Sequence, residues 1–307
     1  LGFYTDWTAT IVQTSLLFGL CICNIGIYNC KILIRLNYFK ITIGIMSTVV
    51  YNTILSFIIA GVWISVSTWI AERLGTKLGG VLALLPSTIL VSLLFVAITV
   101  GKEYAANAAL SAPLGMALNS IFLTVFVFTL NRGLIKATII SLIVWVCCAM
   151  FFQQLNIQSV IVTTTIFIVI MSTTYFILEH VAKIKSVTKR EQKFRISLIL
   201  YRAIFAGSVV GTTVIISQFA SHFWTGIFST FPAVMLTSMV ILTRSQGKDF
   251  ARATAKTMIL ASGNIVVYAF GINYLYKTMN LALATFLSFI FAVIYILILM
   301  PVLIRSK

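Results

Sequence analysis

Proline inside an apolar helix frees a backbone carbonyl that hydrocarbon cannot satisfy, and this chain sets hydroxyl side chains beside two such prolines. Pro86 lies near the middle of the apolar run 78–100, with Ser87 and Thr88 directly after it. Pro232 lies near the middle of 222–243, with Ser229 and Thr230 just before it. Each ring removes one helical hydrogen bond and crowds the carbonyl four residues back, that of Leu82 or of Phe228. In lipid that carbonyl needs another partner. Paired broken helices with freed backbone groups make the midplane solute sites of many secondary transporters. The plainer alternative is an ordinary kink patched by the neighbouring hydroxyls, and the sequence leaves both open.

Two long segments carry most of the remaining polar content at membrane depth. One holds Asn107, Ser111, Asn119 and Ser120, interrupted by Pro113; the other holds Thr254, Thr257, Ser262, Asn264, Tyr268 and Asn273. Polar groups at depth face a bundle interior or a cavity, so Asn119 and Asn264 are candidate solute contacts beside Pro86, Ser87, Thr230 and Pro232. Amides and hydroxyls also glue helices together without binding anything. Lys256, about one turn inside, is expected to snorkel to the surface. Lys102 with Glu103, and Asp249 with Lys248 or Arg252, are candidates for the two mouths of a pathway. A carboxylate in a first helical turn also simply complements the helix dipole.

Enzyme chemistry finds no support. Glu179 sits at a helix end, and no acid lies clearly at a midplane, which counts against a proton antiporter built on a central carboxylate. His180 and His222 form neither a metal cluster nor a nucleophile–base pair. Cys147 and Cys148, and Cys21, Cys23 and Cys30, lack zinc-site spacing. No phosphate-binding loop, G-x-S-x-G or zinc-protease motif occurs. No cofactor or metal is expected.

The elements that must hold these residues are membrane helices. The chain is 60% apolar and only 9% charged, against about 25% charged in soluble domains. Nine apolar runs are long enough to span: roughly 48–71, 78–100, 105–130, 134–152, 157–178, 197–218, 222–243, 252–276 and 279–304. A tenth candidate is 8–29, and residues 1–45 stay unassigned; Met46 would open a chain of consistent topology. The net charge of +16 does not point to nucleic acid, because Lys and Arg sit in short connections between the runs. With 179–196 in the cytoplasm, 17 of the 22 Lys and Arg residues fall inside and five fall outside: Lys31, Arg35, Lys40, Lys102 and Lys277. That bias follows the positive-inside rule. The cluster Lys183, Lys185, Lys189, Arg190, Lys193 and Arg195 reads as a juxtamembrane anchor that also touches anionic lipid.

The chain also repeats itself. A shift of 146 brings Ile58, Ala60 and Gly61 onto Ile204, Ala206 and Gly207, and Gly80 and Pro86 onto Gly226 and Pro232. The run Gly101-Lys102-Glu103-Tyr104-Ala105 falls on Gly247-Lys248-Asp249-Phe250-Ala251. Each copy holds four spans, and one span, 157–178, separates them. Five spans from the start of one copy to the start of the next make the second copy inverted. The matched glycines Gly61 and Gly207 predict close helix packing.

The second copy carries a family resemblance. Phe223-Trp224-Thr225-Gly226-Ile227-Phe228-Ser229-Thr230-Phe231-Pro232-Ala233, followed by Ser245-Gln246-Gly247-Lys248-Asp249-Phe250-Ala251-Arg252-Ala253-Thr254, resembles the GlpM-like family of small bacterial membrane proteins. The resemblance implies a four-helix unit and supplies a fold more than an activity. The first copy keeps Gly80, Pro86, Gly101 and Glu103, but has Leu85 before its proline and Ala106 in place of Arg252. The four-one-four plan is similar to that of the drug/metabolite transporter superfamily in architecture, with no signature residue matched.

The sequence therefore predicts an all-α polytopic membrane protein of nine or ten transmembrane helices. It is organised as an N-terminal segment 1–45, a four-helix repeat 46–152, a linking helix with its basic loop 153–196, and an inverted repeat 197–307. The expected function is secondary transport of a small solute in the cytoplasmic membrane. A non-transporting subunit of envelope polysaccharide or lipid synthesis, or a lipid flippase, is the alternative. Membrane lipid is the one expected partner; a homodimer or a membrane-protein partner stays open.

Overall fold

A computed structural model describes residues 47–67, 69–70, 85–157, 159–184 and 196–305. Residues 1–50 and 51–307 are separate compact units, and the contacts below belong to the second. The candidate span 8–29, Gly79, Gly80, Leu82 and the basic run after Ile184 lie outside the described residues.

Apolar composition over runs of about 20 residues dictates helices here, since only a helix satisfies a lone spanning backbone in lipid. All the described elements are helical. In order they are α1 (Ser47–Ser67), then α2 (Ser87–Thr99), α3 (Lys102–Ala109), α4 (Ala112–Thr129), α5 (Leu134–Gln154) and α6 (Val160–Phe176). A π-helical turn, Ile177–Val181, extends α6. The second part of the chain gives α7 (Ile196–Ile216), α8 (His222–Ser229), α9 (Ala233–Ser245), α10 (Lys248–Ala261), α11 (Gly263–Thr278) and α12 (Leu281–Arg305). Eight helical segments among the described residues are long and apolar enough to cross a membrane. These are the helices of a multi-pass membrane protein. The span expected at 78–100 is described only from Leu85 onward, as the shorter α2.

Pro232 acts more sharply than a kink. The expected single helix 222–243 is two helices, α8 ending at Ser229 and α9 starting at Ala233, with Pro232 as the N-cap of α9. Pro86 is likewise the N-cap of α2. Their backbones agree, φ −76°, ψ 53° at Pro86 and φ −73°, ψ 41° at Pro232. Each is bridged by the same short bond, Ser87 N–H to the Leu85 carbonyl and Ala233 N–H to the Phe231 carbonyl, both 2.7 Å. Downstream, Gly101 and Gly247 turn the chain at φ 129° and 96°, where a side chain would be strained. The third span of each copy is broken as well, at Leu110–Ser111 ahead of Pro113 and at Ser262. Helix boundaries thus repeat at the 146-residue shift for α2 and α9, 87–99 and 233–245.

Glycine places the copies against each other. A Cβ on Gly207 would lie 2.8 Å from the Phe57 carbonyl oxygen, and one on Gly61 would lie 3.5 Å from the Ala203 carbonyl oxygen. Residue numbers rise along α1 as they fall along α7, so the two helices cross antiparallel. Under the 146 shift the pair Phe57–Gly207 becomes Ala203–Gly61, so the contact maps onto itself as an isologous contact does. The third spans also run antiparallel. Lys102, at the start of α3, donates to the Met279 carbonyl just beyond α11 (3.0 Å). Arg252, in the first turns of α10, donates to Asn131 just beyond α4 (2.7 Å).

A Cβ on Gly226 of α8 would overlap the Ala108 carbonyl of α3. Gly226→Ala is therefore expected to destabilise the protein by about 1–3 kcal/mol, the range for overpacking, whereas Gly61→Ala should be near neutral. Melting temperatures of the two variants in mild detergent check the difference.

Candidate functional site

The two breaks open onto one cavity of about 60 Å³. Leu85, Ser87, Thr88 and Ile89 line it from the first break, and Thr230, Phe231, Pro232, Val234 and Met235 from the second. The third spans close it with Met116, Asn119, Met258, Ala261, Ser262, Asn264 and Ile265. Shifting by 146 pairs Leu85 with Phe231, Thr88 with Val234, Ile89 with Met235, Met116 with Ser262 and Asn119 with Ile265. Five pairs of equivalent positions thus surround a single space. Of the six expected pathway residues, Ser87, Asn119, Thr230, Pro232 and Asn264 line it, and Pro86 stands between two that do.

Geometry separates their roles. The Phe228 carbonyl is not left free by Pro232, because it accepts the Phe231 N–H at 3.0 Å. The Thr230 carbonyl takes the Asn119 Nδ2 amide instead, at 2.7 Å. Asn119 Oδ1 accepts from Trp145 Nε1 at 2.9 Å. Asn119 is therefore a positioning residue that holds the break open and correctly shaped. Trp145 was not singled out by sequence; its ring packs edge-on against Phe228 and Phe231. A tryptophan within a span must find a partner for its indole N–H, and that requirement was the available signal. The Thr230 hydroxyl folds back onto the Ile227 carbonyl (2.9 Å).

The expected mouths differ from one another. Asp249 pairs with Arg252 at 3.2 Å, with the Asp249 side chain 80% exposed. Such a pair contributes little to stability. Lys102 does not pair with Glu103; it donates to the Met279 carbonyl as noted. Lys248 and Glu103 are exposed first-turn residues of α10 and α3, and no ion pair involves either among the described residues. On the first copy the mouth is thus a lysine-to-carbonyl contact rather than a charge pair.

Lys256 also departs from expectation. It does not snorkel but is 5% exposed, and its Nζ donates to Glu179 Oε2 at 2.6 Å and to the Ile184 carbonyl at 3.2 Å. Glu179 sits in the π-helical turn after α6. Burying an ammonium demands such a partner. The bond ties the linking helix to the second copy, and the position equivalent to Lys256 in the first copy is Leu110.

Residues 53–158 match a family model described as a protein of unknown function (DUF3147). The match covers about a third of the chain and falls on the first copy, whereas the residues that carry the GlpM-like resemblance lie in the second. No curated protein and no solved structure matches the chain.

Glu179→Gln leaves the Lys256 ammonium buried against a neutral amide. It is expected to destabilise by about 1–3 kcal/mol, below the 3–5 kcal/mol for a fully buried pair because Glu179 is partly exposed. Combining it with Lys256→Met should recover most of the loss, read as melting temperature across the double-mutant cycle.

Proposed function

We propose that the chain is a secondary transporter of a small solute, with the cavity at the paired proline breaks as its binding site and two inverted four-helix repeats as its moving halves. The observation that carries this reading is that equivalent residues of both copies line one space. A non-transporting subunit has no need of a cavity built from both breaks. The antiparallel crossings of α1 with α7 and of the third spans support the inversion. The shared faces of the inter-span contacts support it too: Lys102 meets Met279 and Arg252 meets Asn131, and the charge bias puts each pair of connections on one side.

The volume sets the solute's size. About 60 Å³ holds a few waters and falls well short of the roughly 300–1,000 Å³ of pockets for drug-sized ligands. A small solute, or one small polar group of a longer one, fits. The GlpM-like and drug/metabolite-transporter likenesses agree with this reading in architecture and supply no substrate.

Two tests bear on it. With native cysteines removed, single cysteines at Lys102 and at Lys248 are labelled in intact cells with an impermeant maleimide. One site is expected to react and the other not; equal labelling of both would remove the inverted repeat. In proteoliposomes loaded with a panel of small solutes, Ser87→Phe, whose ring fills much of the cavity, is expected to cut the wild-type flux at least ten-fold while the protein still folds and inserts.

A further inference from the structure

From the backbone geometry at the two breaks we infer that the cavity binds a single negative charge, a small monoanion or the carboxylate of a small solute. This rests on the transport reading for its purpose but not for its chemistry.

The first turn of a helix presents N–H groups that have no intrahelical partner. At α2 and α9 the cap residue is a proline, and no side chain caps either helix. The Ser87 and Ala233 N–H groups are used in the short bonds across the breaks, and the Leu90 and Leu236 N–H groups return to the Pro86 and Pro232 carbonyls. That leaves the N–H groups of Thr88 and Ile89, and of Val234 and Met235, with no hydrogen bond among the described residues. All four residues line the cavity. They are two equivalent pairs under the 146 shift, so two helix N-termini meet at one space.

A side chain points the same way. Thr88 is 9% exposed, lines the cavity, and its hydroxyl makes no hydrogen bond among the described residues. That hydroxyl is a donor open to the cavity and available to a bound group. An anion accepting from it and from the four N–H groups would satisfy all five donors together. Among the described residues no acid and no base lines the cavity, so the fixed charge that they offer is that of the helix ends. Each N-terminus is equivalent to roughly half a positive charge. Two together balance about one negative charge, which favours a monoanion over a dianion such as sulfate. A bare cation would meet the positive ends of both dipoles. Half-helix N-termini at the midplane are a known way to hold an anionic group in lipid.

The test uses the purified full chain in mild detergent, with chloride, acetate or sulfate titrated against gluconate at constant ionic strength and melting temperature as the readout. Ligand bound to the folded state raises that temperature in a saturable way. Chloride or acetate is expected to stabilise the wild type, with sulfate weaker. Thr88→Val, which removes the hydroxyl and keeps the shape, should raise the midpoint concentration at least three-fold. Val234→Asp places a carboxylate on the N-terminus of α9 and should abolish the response. Acetate acting alone would assign the carboxylate of an organic solute, and chloride acting too would assign an inorganic monoanion. No saturable response to either, a stronger response to sulfate, or an unchanged midpoint in Thr88→Val would overturn the inference. If Val234→Asp fails to fold, the Thr88→Val midpoint decides. Stabilisation by anion with no solute flux in proteoliposomes would refute transport and leave the site, while flux of a neutral solute with no anion response would do the reverse.

Discussion

A backbone polar group inside a bilayer has no water to fall back on, and the arrangement at the centre of this chain follows from that constraint. Pro86 and Pro232 deny their helices a continuous ladder of hydrogen bonds. At Pro232 the chain answers by stopping one helix and starting another rather than bending, and at Pro86 a helix starts in the same way. The acceptor side of the second break is settled locally and by Asn119: Phe228 and Phe231 carbonyls take nearby N–H groups, and the Thr230 carbonyl takes the amide. Trp145 then fixes the amide, since its indole N–H occupies the opposite end of Asn119. The donor side is not settled in this way. At the second break the carbonyls are thus satisfied, while the Val234 and Met235 N–H groups have no hydrogen bond among the described residues.

Much of this frame was legible in the sequence because it is written in residue types with few structural meanings. A proline in an apolar run, a glycine before a Lys-acid pair, and a fixed spacing between such features can be read without coordinates. The break at Pro232, the turns at Gly101 and Gly247, and the close approach of Gly61 and Gly207 are of this kind. The partners of long polar side chains were not legible. Lys256 reads as a surface-seeking lysine because its depth is judged along its own helix, while Glu179 lies 77 residues earlier. The π-helical turn that presents Glu179 leaves no mark in the sequence. Asn119 reads equally well as a solute contact or as glue until its two bonds are known. Lys102 and Glu103 look like an ion pair because they are neighbours, yet adjacent helical residues do not face each other.

The 146-residue shift relates positions in the packing as well as in the sequence. The third spans of both copies wall the cavity, with the two breaks bringing α2 and α9 to it. Around this centre, α5, α6 and α12 expose long apolar faces bearing residues such as Ile135, Ile161 and Ile298, the composition a lipid-facing surface requires. The departures from symmetry are local. Lys256 has an apolar counterpart, and Thr88 has Val234 as its equivalent. Symmetry therefore shapes the space, and single exchanges set its chemistry.

The crossing of α1 and α7 differs in kind from the bond between Lys256 and Glu179. At the crossing, glycines meet main-chain carbonyls, and side chains reach in as well: the Phe57 ring would lie 3.1 Å from a Cβ on Gly207, and the Thr53 methyl 3.5 Å from one on Gly211. The contact there is one of shape, with Gly207 seated closely and Gly61 retaining slack. A directional, short charge pair behaves as a latch, because it is lost abruptly once its ends part. One contact thus rests on shape and would yield gradually, while the charge pair at Lys256 would be lost at once.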